Sequence, residues 1–509
     1  MTLIHIAQII FLVIEVGFIG FVLFFERNES TRRLLWLFVL IALPVIGWIL
    51  YLLFSGHFFT GTKRMKETNR LIDDFRKPLI ADQLAFIAKN QDKIQGSLIQ
   101  EYWQLIHMNL NNNDSLLVCS DSAEIFTTGD TFFDSLYKDI ANARQSVNLE
   151  YFIFKKDKIG KRFMDLLCKK ARDGVKVNLL YDDFGCFFTP TRFLQKLNRA
   201  GGEVHPFFQI RLGLPLTLNY RNHRKIAVID GEIAYTGGHN IGDEYANKSR
   251  RHRYDWRDTT VRVTGSSVIS LQSVFLIDWF SIIAWRNRAK VIRRAGNYFP
   301  RPIFDSLHNK LTKNQQMQFF TDLLLPGRIP TQVVTAGPNK IHLSSIKDSL
   351  IKMISSAKKY VYIQTPYFTP DEEFISALKI AAFSGVDVRI QIPTKWDKFY
   401  MKAASLQFVR ELQPYGISFY QYEGFIHAKT LTVDDSLCSI GSTNIDCRSF
   451  SLLFEANVIF YSEEFCKKHR QVFLTDETKS RFIAPGAFDK TFILTRTWWS
   501  FAKLFTPLM

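Results

Sequence analysis

Two long apolar segments at the start of the chain dominate its hydropathy pattern. Leu3 to Phe25 is almost wholly apolar, and Leu34 to Phe54 contains no charged residue. Each is long enough to span the hydrocarbon core of a bilayer as a helix. The link between them, Glu26 to Arg33, is short, so residues 1–60 predict a two-helix transmembrane hairpin with both ends on one side of the membrane. Three aromatic residues are predicted to be interfacial anchors: Trp36, Trp48 and Tyr51. Pro44 is expected to be tolerated inside the second span.

The charges around these segments bear on topology. No basic residue precedes the first segment and no small-residue cleavage site follows it, which argues against a signal peptide. A basic run after the second segment, Lys63 to Lys77, predicts that the rest of the chain lies in the cytoplasm, although the link is itself basic. Glu15 is the unusual residue, because a charge at mid-membrane costs about 2.5–3.5 kcal/mol. We expect it to be protonated, paired with the other helix or facing the catalytic domain.

Residues 61–113 are polar with a helical pattern and predict a basic helical connector that lies over the membrane or the catalytic domain. After it, amphipathic helical segments alternate with short apolar, β-branched runs, and the same order occurs twice. Such alternation predicts an α/β sandwich in each of two lobes, residues 114–325 and 326–509, with a boundary near Leu325-Pro326-Gly327. The predicted elements are helices 133–145, 162–173, 346–359 and 372–383 and strands 146–154, 175–180, 360–364 and 386–392.

A short pattern of polar residues also occurs twice, and its members are separated by a constant 204 residues. The first copy has His, Lys, Asp, Gly and Asn at His223, Lys225, Asp230, Gly237 and Asn240. The second copy has them at His427, Lys429, Asp434, Gly441 and Asn444. Two chance copies with the same downstream residues are not plausible. The chain is therefore an internal duplication in which each half contributes half of one active site.

The local sequence predicts where these side chains point. Arg224 to Ile229 and Lys429 to Asp435 are predicted strands, the first ending at an Asp230-Gly231 turn. Because side chains alternate along a strand, each histidine shares a face with the lysine two positions later. Asp230 and Asp434 fall on the other face, so within the candidate catalytic set we expect them to accept hydrogen bonds from turn backbone groups.

Two imidazoles and two ammonium groups suit metal-free chemistry on a phosphodiester. The lysines, with Asn240 and Asn444, would hold the non-bridging oxygens, and the hydroxyl of Ser442, where the first copy has Gly238, would lie near the phosphate. One neutral histidine would attack phosphorus while the other, protonated, gives its proton to the leaving oxygen. Each ring needs an orienting carboxylate. Glu455 and Asp258 follow the two motifs in strand-like runs and are the candidates; the alternative is that they are ordinary strand-edge acids.

The neighbours of the two histidines favour different roles. Arg221 and Arg224 flank His223 and should lower its pKa, whereas Glu423 and Glu455 are close in sequence to His427. We therefore predict that His223 is the nucleophile and His427 the acid and base.

The duplicated motif resembles the HxKxxxxD pair of the phospholipase D superfamily. The likeness extends over nearly the whole chain, and the first half is similar to bacterial cardiolipin synthases of the phospholipase D type. It is carried by Asn219 to Gly231, Gly237 to Tyr245, Trp256 to Thr259 and Thr365 to Phe368. The resemblance implies transfer of a phosphatidyl group from one phosphatidylglycerol to another, through a phosphatidyl-histidine, giving cardiolipin and glycerol.

Charge and cysteine content limit the partners and cofactors. A formal charge of +17 predicts an anionic partner, and the membrane segments favour anionic phospholipids and the bilayer over nucleic acid, which we do not expect. The basic and aromatic run Trp285 to Arg294 and the C-terminal segment Trp498 to Phe505 are candidate lipid contacts, the latter as an amphipathic helix in the interface. Six scattered cysteines, without CxxC spacing, favour reduced thiols over disulfides or zinc. We expect no metal, nucleotide or other cofactor.

These features predict a multi-pass enzyme of the bacterial plasma membrane. Three alternatives stay open: a hydrolytic phospholipase D that uses water as acceptor, a membrane-tethered phosphodiesterase or nuclease of the same superfamily, and a non-enzymatic lipid-binding scaffold. The sequence leaves the oligomeric state open, a homo-oligomer included.

Overall fold

The computed structural model of the chain describes residues 3–25, 30–55, 63–210, 219–249, 254–283, 320–338 and 344–506. The helices are α1 (Leu3–Phe25), α2 (Ser30–Ala42), α3 (Ile46–Phe54), α4 (Lys63–Lys89), α5 (Gln91–Ile94), α6 (Leu98–Glu101), α7 (Trp103–Asn113), α8 (Gly129–Asn142), α9 (Lys158–Arg172), α10 (Thr191–Leu194), α11 (Lys196–Arg199), α12 (Ser267–Ile282), α13 (Ser345–Ser355), α14 (Glu372–Phe383), α15 (Phe399–Leu412), α16 (Cys447–Ser451), α17 (Glu463–Glu477) and α18 (Ile493–Leu504).

The strands are β1 (Leu117–Phe126), β2 (Ser146–Tyr151), β3 (Lys176–Asp182), β4 (Glu203–Phe207), β5 (Lys225–Ile229), β6 (Ile233–Gly237), β7 (Trp256–Arg257), β8 (Thr260–Gly265), β9 (Ile329–Ala336), β10 (Tyr360–Gln364), β11 (Phe368–Thr369), β12 (Asp387–Pro393), β13 (Ser418–Tyr422), β14 (Phe425–Ile426), β15 (Thr430–Val433), β16 (Leu437–Gly441), β17 (Ile445–Asp446), β18 (Glu455–Tyr461) and β19 (Ser480–Phe482).

The order of the strands shows the duplication. The first half runs β4-β3-β2-β5-β6-β8-β1, and the second half repeats this order as β13-β12-β10-β15-β16-β18-β9, with β19 added at its edge. The predicted α/β class with two duplicated halves is therefore confirmed. The halves do not have separate sheets, however, because β1 pairs antiparallel with β9 and joins them into one sheet of 15 strands. The register of β1 shifts between Ser120 and Ser122, where its pairing passes from β9 to β8.

Hydrophobic side chains pack on both faces of this sheet. One cluster contains Ile226 and Val263 of the first half together with Val333, Ile440 and Val458 of the second, so the two half-sheets pack face to face. Helices cover the outer faces, α8 and α9 in the first half and α13 and α14 in the second. Strands buried on both faces need near-continuous apolar sequence, which is what β5, β10 and β16 contain.

The connector helices α4 to α7 pack against the catalytic body. Ile80, Phe86, Leu105 and Leu110 belong to the same core cluster as the helices and strands of the second half. The side chain of Gln83 donates to the carbonyl of Leu117 at 2.6 Å and accepts from its N–H at 2.9 Å, in the manner of a neighbouring strand. The connector is thus part of the folded core of the second half.

The second apolar segment departs from the prediction. Instead of one helix over 34–54, the structure has α2 and α3 with a break around Pro44, and Val45 adopts a left-handed φ of 68°. Proline removes a helical hydrogen bond and disfavours helix at the residue before it, which accounts for the break. In the described part of the chain, α1 is the one helix long and apolar enough to cross a membrane.

The expected partner of Glu15 lies in α3. The indole Nε1 of Trp48 donates to Glu15 Oε2 at 2.5 Å, and Trp48 stacks on Phe18 of α1. Trp36 and Tyr51, two of the predicted interfacial anchors, instead pack within the helix cluster of α1 to α3. The basic run Trp285 to Arg294 lies outside the described residues. All six cysteines lie in the described part of the chain, and none of them forms a disulfide there.

Candidate active site between the two halves

Backbone contacts between the halves hold both motif histidines. The sequence predicts that each histidine shares a strand face with the lysine two positions later. In the structure the histidines lie before the strands, since β5 begins at Lys225 and β15 at Thr430. The N–H of His223 donates to the carbonyl of Phe454 at 2.9 Å, beside a parallel bridge between Asn222 and Phe454. In the other half β14 pairs in parallel with β7, and the N–H of His427 donates to the carbonyl of Arg257 at 2.6 Å.

Each histidine ring also receives a carboxylate from the opposite half. Nδ1 of His223 lies 2.9 Å from Glu455 Oε1, and Nδ1 of His427 lies 2.6 Å from Asp258 Oδ2. Both predicted acids are thus at the histidines, with Glu455 on His223 although it is closer in sequence to His427. No described residue forms a hydrogen bond with Nε2 of either ring, so these nitrogens are left for a substrate.

Ser442 and Gly238 occupy equivalent positions and serve the two carboxylates differently. The Ser442 hydroxyl donates to Glu455 and accepts from the N–H of Ala456. At Gly238 an added Cβ would lie 1.9 Å from Asp258 Oδ1, so any side chain would displace the carboxylate. The first half therefore needs glycine where the second uses a hydroxyl to hold its acid. In the structure Ser442 acts on Glu455, and a contact with phosphate stays a prediction.

The two motif lysines are buried beside the histidines. Lys225 Nζ donates to the carbonyl of His223, and Lys429 Nζ donates to that of His427 and lies 2.9 Å from its Nδ1. Burial lowers the pKa of Lys225 to about 7 and that of Lys429 to about 8, against the opposing effect of Glu455 and Asp258. Without substrate both lose charge as pH rises through these values. A bound phosphate would raise both pKa values again.

Without substrate, the surroundings of both histidines disfavour the protonated form, and the negative charge of a bound phosphodiester would oppose this effect at the ring that acts as acid. Burial lowers the pKa of each well below its ordinary value, and the ammonium groups of Lys225 and Lys429 lower both further. Burial raises the pKa of Glu455, the partner of His223, to about 7. A neutral ring bonded through Nδ1 presents a lone pair on Nε2 when Nδ1 carries the proton, which is the form needed for attack on phosphorus.

The motif aspartates accept hydrogen bonds from backbone N–H groups, as predicted. The donors belong to the segment before a neighbouring strand and not to the turn that follows the motif strand. Asp230 accepts from the N–H groups of Arg144, Gln145 and Ser146, which lead into β2. Asp434 accepts in the same way from the three residues that lead into β10: Lys358, Lys359 and Tyr360. Both aspartates have left-handed φ values, 54° and 51°. Each ties its motif strand to the neighbouring strand and does not contact the histidines.

The two motif asparagines differ in what they bond. Asn240 Oδ1 accepts from the N–H of Ile153 at 3.0 Å and its Nδ2 donates to the hydroxyl of Tyr245, so both polar atoms are occupied. Asn444 Oδ1 is buried and has no hydrogen-bond partner among the described residues. Of the two, Asn444 is the one whose side-chain amide keeps an unbonded polar atom in the described structure.

One contributor, Arg224, was not assigned a structural role from the sequence. Its guanidinium bonds Asp278 of α12 and donates to the carbonyls of Glu455 and Ala336 in the second half, both at 3.1 Å. It therefore fixes the backbone of Glu455, the partner of His223. The sequence shows that Arg224 lies inside the motif. It could not show the partners of Arg224, because they lie 54 to 231 residues away along the chain.

The described residues contain no group of three or more His, Cys, Asp or Glu side chains that could hold a metal ion. The reacting groups on hand are two imidazoles, two ammonium groups and two carboxylates. A duplicated α/β fold with one such motif in each half is the arrangement of the phospholipase D superfamily.

Comparisons with known proteins narrow this class. The family model "Cardiolipin synthase, PLD-like domain" matches residues 136–253 and 350–476, and the model "Phospholipase D-nuclease N-terminal" matches residues 9–56. A cardiolipin synthase of Listeria monocytogenes serotype 4a is 36% identical over 98% of both chains. Cardiolipin synthase 2 of Staphylococcus epidermidis is 36% identical over 96% of this chain and 94% of its own. The chain belongs to the cardiolipin synthase family.

A solved structure supports the fold alone. The phosphatidylserine synthase of Haemophilus influenzae Rd KW20 superposes with a TM-score of 0.56 over 80% of this chain and 100% of its own, at 14% identity.

Proposed function

We propose that the protein is a cardiolipin synthase that transfers a phosphatidyl group between two phosphatidylglycerol molecules. The observation that carries this proposal is the pair of histidines, each with Nδ1 on a carboxylate and Nε2 left for substrate. The full-length similarity to cardiolipin synthases supports the substrate class.

The reaction is a double displacement at phosphorus. Nε2 of His223 attacks the phosphodiester of the first phosphatidylglycerol, the bond from phosphorus to the headgroup oxygen breaks, and His427 protonates the leaving glycerol. A hydroxyl of a second phosphatidylglycerol then gives its proton to His427 and attacks phosphorus, which releases His223. The ammonium groups of Lys225 and Lys429 and the amide Nδ2 of Asn444 donate to the non-bridging oxygens. One phosphodiester replaces another, so the reaction needs no nucleotide.

The membrane arrangement follows from the N-terminal helices. We place α1 across the bacterial plasma membrane and α2 with α3 as the return segment of a hairpin, which makes the protein multi-pass. The basic residues of α4 favour the catalytic body on the cytoplasmic side. The oligomeric state stays open.

The test is mass spectrometry of the lipids formed by purified full-length protein in vesicles that contain phosphatidylglycerol as the reactive lipid, in buffer with EDTA. We expect cardiolipin and glycerol in equal amounts, and His223→Ala as control should form neither. Phosphatidic acid as the sole product would show a hydrolytic phospholipase D instead. Degradation of added DNA without change in the lipids would show a nuclease.

A further inference from the structure

Transfer to a second phosphatidylglycerol demands more of the protein than hydrolysis does. The acceptor carries its own phosphate, which is anionic and has to lie near the site while its headgroup hydroxyl reaches the phosphatidyl-histidine. In the proposed function the motif lysines are occupied by the phosphate being transferred. The acceptor phosphate therefore requires a second set of cations, outside the motifs and without carboxylate partners, and this inference rests on the proposed function.

Lys398 has these properties. It is exposed, it directly precedes α15, and its Nζ lies over the ring of Tyr367, 4.8 Å from the centroid. Tyr367 belongs to the hydrophobic cluster that contains Trp256 and Phe425, whose ring centroids lie 5.2 and 5.5 Å from that of His427. The charge of Lys398 also contributes to lowering the pKa of both His223 and His427. Within the described residues no carboxylate forms an ion pair with it; the adjacent Asp397 accepts the hydroxyl of Tyr367 at 2.7 Å.

Arg448 is the second such cation. It lies in α16, is half-buried, and its Nη2 donates to the carbonyl of Asn219 at 3.4 Å, on the segment that leads to His223. The described structure contains no ion pair to it, and the carboxylate of nearby Asp446 accepts from the N–H of Ser449 at 2.6 Å. Burial lowers the pKa of Arg448, and the charge of nearby Asp446 opposes this effect.

The two cations share one rim of the second half. Tyr367, which lies under Lys398, directly precedes β11, and β11 pairs in parallel with β17, which directly precedes α16 with its Arg448. Phe399, which follows Lys398, is 74% exposed and stacks on exposed Trp498 of α18 with ring centroids 6.1 Å apart. Positive charge beside exposed aromatic rings matches a molecule with an anionic headgroup and apolar chains.

We propose that Lys398 and Arg448 bind the phosphate of the acceptor lipid and that Phe399 and Trp498 contact its acyl chains. The ligand is a glycerophospholipid with one anionic phosphodiester, held so that its free headgroup hydroxyl points toward the two histidines. The site makes the enzyme a transferase, because it concentrates a lipid alcohol where water would otherwise react.

The experiment separates use of the acceptor from formation of the phosphatidyl-enzyme. Full-length Lys398→Ala and Arg448→Ala are reconstituted in phosphatidylglycerol vesicles, and two rates are measured: formation of cardiolipin at varied mole fractions of phosphatidylglycerol, and exchange of labelled glycerol into phosphatidylglycerol. Glycerol is an acceptor without a phosphate. Each variant should lose about tenfold or more in cardiolipin formation, with a larger share of phosphatidic acid, because a charge-assisted contact is removed. Glycerol exchange should fall much less.

Two controls accompany the variants. Lys398→Arg should restore most cardiolipin formation, and Lys402→Ala, at an exposed lysine one turn further along α15, should behave as the unchanged protein. An equal loss of both rates in the alanine variants, or no loss of either, would overturn the acceptor site. If the unchanged protein itself exchanged glycerol but formed no cardiolipin, the proposed function would fail instead.

Discussion

At the scale of single residues, the carboxylate bound to each histidine bears on which ring attacks. The argument from sequence used the closeness of Glu455 to His427 along the chain, whereas in the structure Glu455 contacts His223. The assignment of His223 as nucleophile now has a different basis. With a pKa of about 7, Glu455 is partly uncharged at neutral pH and stabilises an imidazolium less than a full carboxylate would. We therefore expect His427, whose Nδ1 lies 2.6 Å from Asp258, to be the better proton donor.

We predict that the phosphatidyl intermediate forms on His223. Full-length protein is mixed with phosphatidylglycerol labelled in its phosphate, quenched in base, where phosphohistidine is stable, and digested for peptide mapping. The label should be on the peptide that contains His223 and should be absent from His223→Ala. A label on His427 would reverse the two roles while leaving the two-histidine mechanism intact.

The difference between Gly238 and Ser442 shows what a sequence withholds at this scale. The sequence shows that the two copies differ at this position, but it does not show the cause of the difference. That cause is the length of the acid on the neighbouring strand, since Asp258 fills the space above Gly238 whereas Glu455 is held by the hydroxyl of Ser442.

At the scale of elements, regular helices and strands were predictable and their interruptions were not. The strand 360–364 and the helix 372–383 match β10 and α14 as predicted, because apolar periodicity and an Asp cap determine them locally. The break at Pro44 was misjudged, since proline is tolerated in some transmembrane helices and excluded from others according to their neighbours. The parallel bridges before the histidines join segments more than 160 residues apart, which no local pattern reports.

The helix α18 has two apolar faces, and we predict that the outer one lies in the membrane interface. Trp499 and Ala502 are buried on one side, whereas Leu494, Trp498 and Phe501 are exposed on another. Phe501→Asp should reduce activity in phosphatidylglycerol vesicles several-fold, because it would bring a charge into an apolar layer. The same protein in detergent micelles should keep its activity.

Ser500→Asp is the matched control for this prediction. Ser500 is exposed and its Cα direction is about 200° around the helix from Trp498, so it adds the same charge away from the apolar face. Equal losses for the two variants in vesicles would show that the charge itself, and not its depth in the interface, is responsible.

At the scale of the whole molecule, the two halves form one catalyst and not two. The motifs repeat at a constant offset of 204 residues, from which the duplication and a shared site could be predicted. The acids do not keep that offset, since Glu455 follows Asp258 by 197 residues. The exchange of carboxylates between halves could not be predicted, because it depends on how the sheet folds at β1 and β9.

Because each half supplies the carboxylate for the histidine of the other half, we predict that each histidine and its carboxylate partner have the same effect on activity when they are replaced. With a phosphatidyl donor whose leaving group is nitrophenol, no proton has to be donated to the leaving oxygen. Release of nitrophenolate should therefore be restored in His427→Ala and in Asp258→Asn, although the two residues come from different halves. It should not be restored in His223→Ala or Glu455→Gln, which impair the attacking ring. The release of nitrophenolate would be measured by its absorbance, and glycerol exchange would be measured in the same preparations. If restoration instead joined His427→Ala with Glu455→Gln, each half would be supporting its own histidine, contrary to the contacts at both rings.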